Sequence, residues 1–240
     1  MRAALRAAPA VPPNHPCRSA SRSHVGLVRK INEDRVLDDP AAGLWAVVDG
    51  MGGHSGGDLA AQAVVDALRR SVPPLTGVSV CDALQAANAT IDARNRRLRL
   101  DAGATAVTAL LTADGLAIAW AGDSRAYRLH DGRAEQLTHD HSVVQELVDA
   151  GLITPAQAET HPHANMVTRA VGVRSAVLLD RRVVPAQGRF LLCSDGLSRS
   201  LRDGDVNTEL PLDRLADALV ANALARDGSD NLSLVLIDIG

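Results

Sequence analysis

Aromatic residues are nearly absent: Phe190, Tyr127, Trp45 and Trp120 are the only four in 240 positions. The core must therefore be built from Ala, Val, Leu and Ile, and platforms on which nucleic-acid bases could stack are missing. A basic surplus is missing too. The 25 Lys+Arg stand against 28 Asp+Glu, a formal net charge of −3, which removes the electrostatic footprint of a phosphate-backbone binder. Nucleic acid is not an expected partner. The three cysteines, Cys17, Cys81 and Cys193, are odd in number, far apart and outside any CxxC spacing. That argues against a disulfide framework or a zinc site and for a reducing compartment. No apolar run reaches the roughly 18 residues of a membrane span. Met1 to Pro16, interrupted by Arg2 and Arg6, lacks the continuous apolar segment of a signal peptide. The expectation is a soluble cytoplasmic monomer with no membrane partner.

What is present is an ordinary globular balance, 46% hydrophobic and 22% charged, which excludes a disordered or collagen-like chain. Residues 1–16, with Pro9, Pro12, Pro13 and Pro16 and no periodicity, read as a flexible leader. Residues 17–240 read as one domain. Leu44 to Val48 is a short apolar run bounded by Gly43 and Asp49-Gly50, the pattern of a buried strand entering a turn. Leu59, Ala60, Ala63, Val64, Ala67 and Leu68 mark one face of a helix, stopped by Pro73-Pro74, and Leu84, Ala87, Ile91 and Leu98 mark a second. Ala106 to Leu111 and Leu116 to Ala121 flank a hairpin turn, as do Tyr127 to Leu129 and Ala134 to Leu137 around Asp131-Gly132. Residues 141–170 begin as a helix and continue as a His- and Pro-containing insertion. A strand at Phe190 to Cys193, a helix through Leu212, Leu215, Leu219 and Ala223, and a strand from Leu232 to Ile239 complete the chain. Strands that follow one another through short turns point to antiparallel sheets with helices outside, a mixed α/β (α+β) class.

Four aspartates stand where an apolar strand ends or a closing one begins: Asp49 in AVVDGMGG, Asp123 in AWAGDSRAY, Asp195 in FLLCSDGLS and Asp230 in GSDNLSLVLI. One such residue reads as a turn former. Four of them, brought to one rim of a packed sheet, would repel one another unless cations lay between them. All-oxygen ligation selects Mg²⁺ or Mn²⁺, and a pair of such ions suits in-line attack on phosphorus. Phosphoester hydrolysis is the reaction class implied. Arg29 in GLVRKINED offers a planar fork matched to phosphate oxygens, surface charge being the alternative. The glycines of GMGGHSGG allow close backbone approach but do not form a Walker A loop. No CxxxxxR signature surrounds a cysteine, which favours direct hydrolysis over a cysteine nucleophile.

GLVRKINED, VVDGMGGHSGG, AGDSRAYRL, LTHDHSVVQELVDAGLIT with HPHANMVTRAVG, LLCSDGLS and SDNLSLVLI, in this order, resemble the metal-dependent (type-2C) protein Ser/Thr phosphatases, bacterial branch. The match runs from about Ser21 to Ile239. The resemblance implies a four-layer α-β-β-α sandwich of two antiparallel sheets, a pair of helices on each outer side, with two metals in a cleft at one end. It implies Asp49 as the carboxylate bridging both ions and Gly50 as a carbonyl ligand. Asp195 and Asp230 are implied as the other direct ligands, and Asp123 as partner of Asp195 for a third, weaker ion. Glu33 and Asp34 match the acidic pair that holds metal-bound water, and Arg29 the phosphate-binding position. The segment 141–170 matches a flap beside the cleft. Phosphorylated proteins are the implied substrates, hydrolysed by a metal-bridging hydroxide, with a cognate Ser/Thr kinase as the opposing partner.

The sequence departs from the family at three places. Met51 stands where the eukaryotic branch has a His that is a candidate general acid, leaving His54 or a water as the proton donor. GLSRSLRDGD follows Asp195 where many relatives have an aromatic, and the leader has no counterpart. A catalytically silent relative that binds a kinase or phosphoprotein is the alternative reading; a two-metal nuclease is disfavoured by the net charge and the missing aromatics. The presence of all four aspartates speaks for the enzyme.

Overall fold

The computed structural model describes residues 17–52, 56–71 and 75–240; the leader, His54 and the Pro73-Pro74 stop lie outside them. In chain order the elements are β1 (Cys17–His24), β2 (Arg35–Asp39), β3 (Leu44–Val48), β4 (Gly50–Met51), α1 (Gly57–Arg69), α2 (Gly77–Leu98), β5 (Gly103–Ala104), β6 (Ala106–Thr112), β7 (Gly115–Ala121), β8 (Arg125–His130) and β9 (Arg133–Gln136). They continue as α3 (Val143–Asp149), α4 (Pro155–Glu159), β10 (Asp180–Val184), β11 (Gly188–Cys193), α5 (Asp195–Ser198), α6 (Leu212–Arg226) and β12 (Leu232–Ile239). One sheet has the order β1-β12-β11-β8-β9 and the other β10-β7-β6-β3-β2, every pair antiparallel.

The central strands are apolar on both faces because each face meets a different layer. In β3, Trp45 and Val47 point between the sheets while Leu44, Ala46 and Val48 point toward α1 and α2. In β12, Val235, Ile237 and Ile239 meet the inner layer while Leu232, Leu234 and Leu236 meet α6. The result is four layers. One outer side carries the α1–α2 pair; the other carries one long helix, α6, with the four-residue α5, rather than two long helices.

Three strands escape the sequence pattern. β1 and β10 lie at sheet edges and β1, β2 and β10 carry polar or half-exposed residues at most positions, so their alternation is weak and only pairing with distant partners makes them strands. Helix α2 also starts earlier than Leu84. Thr76 caps it, its hydroxyl accepting from the Ser79 amide at 3.0 Å while the Ser79 hydroxyl accepts from the Thr76 amide at 2.8 Å.

Antiparallel pairing decides where the aspartates go. Pairing of Val47 with Val107 and of Ala106 with Ala121 brings the end of β3, the start of β6 and the end of β7 to one edge. Pairing of Cys193 with Leu234 places the end of β11 beside the start of β12. Asp49 and Asp123 therefore leave one sheet, and Asp195 and Asp230 flank the other, at a common rim.

Phe190 is the largest inner-layer side chain of β11, 1% exposed, with the Arg128 guanidinium 5.4 Å from its ring centre. Phe190→Ala is expected to lower stability by about 3–5 kcal/mol, read as a shift in the urea midpoint. A cost below about 1 kcal/mol would place the ring outside the inter-sheet core.

Candidate active site

Asp49 and Asp230 are each fixed by a neighbour from another element. The Asp49 carbonyl accepts from the Thr105 amide at 2.9 Å, tying β3 to the start of β6. Asp230 begins the β12 approach. One oxygen accepts from the Asn231 amide and the other from Nη2 of Arg29, both at 2.8 Å. Asn231 in turn gathers the loop that carries Arg29: its Oδ1 accepts from the Glu33 amide at 2.8 Å, and its Nδ2 donates to the carbonyls of Val25 and Ile31. The Ser194 hydroxyl donates to Asp34 Oδ2 at 2.8 Å and accepts from the Ser233 amide at 3.0 Å.

Backbone contact closes the rim. A Cβ at Gly57 would fall 2.5 Å from Glu33 Oε1 and 2.7 Å from the Gly50 carbonyl carbon, so the start of α1 rests directly on β4. A Cβ at Gly196 would lie 2.1 Å from the Asn231 carbonyl, which makes glycine necessary where α5 crosses the β12 approach. These two approaches account for Gly57 and Gly196 better than turn-forming preference does.

The carboxylates affect one another strongly. Burial pushes Asp34 up to about 7, the Ser233 and Ser194 hydroxyls pull it down, and Asp195 and Asp230 add to the rise. Asp123 is likewise pushed up to about 7, by burial first and then by Asp195 and Asp140. Asp49 is raised well above the ordinary carboxylate range by burial and by the charges of Asp34, Asp195, Asp123 and Asp230. Asp195 is also raised by burial, against the pull of Arg199 and of a hydrogen bond from Asp49. Asp34 Oδ1 is buried and has no hydrogen-bond partner. An orphaned carboxylate oxygen beside carboxyls that raise one another marks a place where a positive charge would be favoured.

Among the described residues no three His, Cys, Asp or Glu side chains stand close enough to cage an ion as they are. The acidic groups converge on one rim, where Asp34 pairs with Ser194, Asp230 with Arg29 and Asp195 with Arg199. Guanidinium groups supply part of the compensation that repelling carboxylates require. The donor set is oxygen throughout, without His or Cys, and fits hard divalent cations.

Residues that the sequence reading did not single out also shape the site. Arg125 holds Asp140 by two parallel hydrogen bonds, Nε to Oδ1 at 2.9 Å and Nη2 to Oδ2 at 2.7 Å, behind Asp123. His141, 5% exposed, accepts from the Gly122 amide through Nδ1 and meets Asp180 through Nε2. With the Ser142–Val167 bridge and the Thr168 amide donating to the His141 carbonyl, it pins the base of segment 141–170 next to Asp123. A cavity of about 730 Å³ opens between that segment and α5, with Asp123 and Asp195 in its wall.

The family model for protein phosphatase 2C matches residues 12–147, more than half of the chain. The chain belongs to the protein phosphatase 2C family. Among relatives, the serine/threonine protein phosphatase PstP of Mycobacterium tuberculosis is 39% identical over 92% of this chain and 45% of its own length. The chain thus spans about half of that relative. The serine/threonine phosphatase stp of Listeria innocua is 34% identical over 90% of this chain and 94% of its own. The catalytic domain of PstP, solved in complex with two manganese ions, superposes with a TM-score of 0.80 at 36% identity, covering 93% of this chain and 98% of that one.

The electrostatics of this phosphatase 2C rim predict an inverted pH dependence. Between 3.8 and about 7 the folded, metal-free chain keeps protons on Asp34 and Asp123 that the unfolded chain has released. Their contribution to stability is therefore complete below 3.8 and is lost as pH rises toward 7. Urea unfolding in chelator should show this loss, Mn²⁺ should remove most of it, and ion binding should release protons. A midpoint that rises across the window equally with and without Mn²⁺ would contradict the assignment.

Proposed function

We propose that this chain is a metal-dependent phosphoprotein phosphatase that hydrolyses phosphoserine and phosphothreonine by direct attack of water, without a phosphoenzyme. The observation that carries the proposal is the buried, mutually raised set of Asp34, Asp49, Asp123 and Asp195 with Arg29 at its mouth. Asp49, the Gly50 carbonyl, Asp195 and Asp230 would hold two Mn²⁺ or Mg²⁺ ions, with Asp123 and Asp195 offering a third place. When bound, such ions neutralise the carboxylates, acidify water and stabilise charge on the phosphoryl group in transfer. Asp34 and Glu33 would accept hydrogen bonds from water and orient it, a role that the unpartnered Asp34 Oδ1 supports.

Arg29 supplies phosphate recognition. Its side chain is 52% exposed and bonds Asp230 through Nη2, so it can exchange that partner for a phosphate without breaking buried structure. His54 or a water would supply the proton to the leaving group, on sequence grounds. The segment 141–170 serves as the flap that limits access from the cavity side. Residues 17–240 act as one catalytic domain. The opposing activity is a Ser/Thr kinase in the same signalling pathway, and the free thiols Cys17, Cys81 and Cys193 support a cytoplasmic setting. Among the described residues no helix is long and apolar enough to cross a membrane. A silent, phosphoprotein-binding role would not need the complete set of rim carboxylates.

Phosphate release from a phosphothreonine peptide should depend on Mn²⁺ and fall at least about 100-fold in Asp195→Asn. Arg29→Ala should lower kcat/KM about 10- to 100-fold, chiefly through KM, because it removes a bidentate phosphate contact. Activity unchanged in Asp195→Asn would remove that residue from the ligand set; wild-type protein that binds the peptide without turnover would favour the silent reading.

A further inference from the structure

Arg199 has no part in the phosphate chemistry described above, yet it sits at the junction of the rim and the flap. It follows α5, four residues after Asp195, and this spacing folds its guanidinium back over the first turn. There Nη2 forms an ion pair with Asp195 Oδ2 at 2.6 Å. The other arm reaches across the cavity mouth: Nη1 donates to Oδ1 of Asn165, in the flap segment, also at 2.6 Å. Its positive charge also acts on Asp123, drawing that carboxyl down against burial.

The backbone under this side chain is fixed. The Arg199 amide donates to the Asp195 carbonyl at 3.0 Å, and its own carbonyl accepts from Nη1 of Arg202 at 2.7 Å. A rigid base with a planar fork can bind in two directions at once, which an ammonium on a flexible stem does poorly. Arg199 and Asp195 both line the large cavity, as does Asp123, so the guanidinium occupies the end of the rim that opens toward the flap.

We infer that Arg199 is a positioning residue: a tethered cation that stands in for a divalent ion at the Asp123–Asp195 end of the rim and latches the flap to that end through Asn165. The cation half of this role rests on the metal-dependent reading above; the latch half does not. An ion that takes Asp195 at that end competes with Arg199 for the same oxygen, so occupancy there and release of the flap are coupled. Asn165 is the flap's side of the latch, its Oδ1 accepting from Arg199.

Hydrogen exchange of residues 155–168 and Mn²⁺ binding counted by electron paramagnetic resonance, on the full chain, test both halves. In metal-free protein, Arg199→Ala and Asn165→Ala should each speed exchange of the segment about three- to tenfold, the scale of a half-exposed charged contact. Arg199→Ala should bind one weak Mn²⁺ more than wild type, because Asp123 and Asp195 lose their resident charge; Asn165→Ala should not. Arg199→Lys, which keeps the charge, should keep the wild-type count but exchange like Arg199→Ala. Wild-type values for both exchange and count in Arg199→Ala would overturn the inference. Faster exchange in the variants of a protein that binds no Mn²⁺ at all would support the latch and overturn the metal-dependent reading instead.

Discussion

Like charges forced together out of water set the terms for this molecule. Asp34, Asp49, Asp123 and Asp195 lie at or beneath one rim, each made harder to ionise by burial and by the others. A folded chain tolerates such a group only with compensation. In the metal-free molecule part of that compensation comes from guanidinium groups, Arg199 on Asp195 and Arg29 on Asp230. Hard divalent cations would replace both. The same repulsion that weakens the fold is thus what gives the rim its affinity for such ions.

The sandwich exists to hold this rim in shape. Two antiparallel sheets, sealed by an inner layer that includes Trp45, Trp120 and Phe190, give strand ends that cannot drift apart without breaking the core. Small residues then let separate elements touch: α1 on β4 through Gly57, and α5 on the β12 approach through Gly196. Asn231 fastens the Arg29 loop to the same corner with three hydrogen bonds. Arg29, proposed above to read phosphate, is therefore carried on a loop fastened by a neutral amide and keeps Asp230 as its own partner.

Much of this was legible in the primary structure, and the gaps have physical causes. The strand-end position of Asp49, Asp123, Asp195 and Asp230 was readable because both flanking strands are apolar on two faces, a signal that β3, β6, β7 and β12 carry strongly. The roles of Glu33, Asp34 and Arg29 came from family resemblance, since nothing local separates them from surface charge. β1 and β10 were illegible because edge strands bury little and owe their form to partners far along the chain, β1 to β12 and β10 to β7. Asn231 and Ser194 were missed because a buried polar residue shows its value only through groups distant in sequence. Arg199 could have been found: an Asp and an Arg four apart at the start of a helix are neighbours on one face.

The rim and the segment 141–170 meet at Asp123, where Gly122 is bonded to His141 and Arg125 holds Asp140, so a change at the carboxylates is mechanically close to a segment that lines the cavity. Whether cations bridge those carboxylates is the point on which all of this turns. Crystals grown with Mn²⁺ and measured at the manganese absorption edge test it directly. The account predicts anomalous peaks enclosed by Asp49, Asp195 and Asp230, with Arg29 withdrawn from Asp230 when phosphate is present. No peak among these side chains at saturating Mn²⁺ would contradict it.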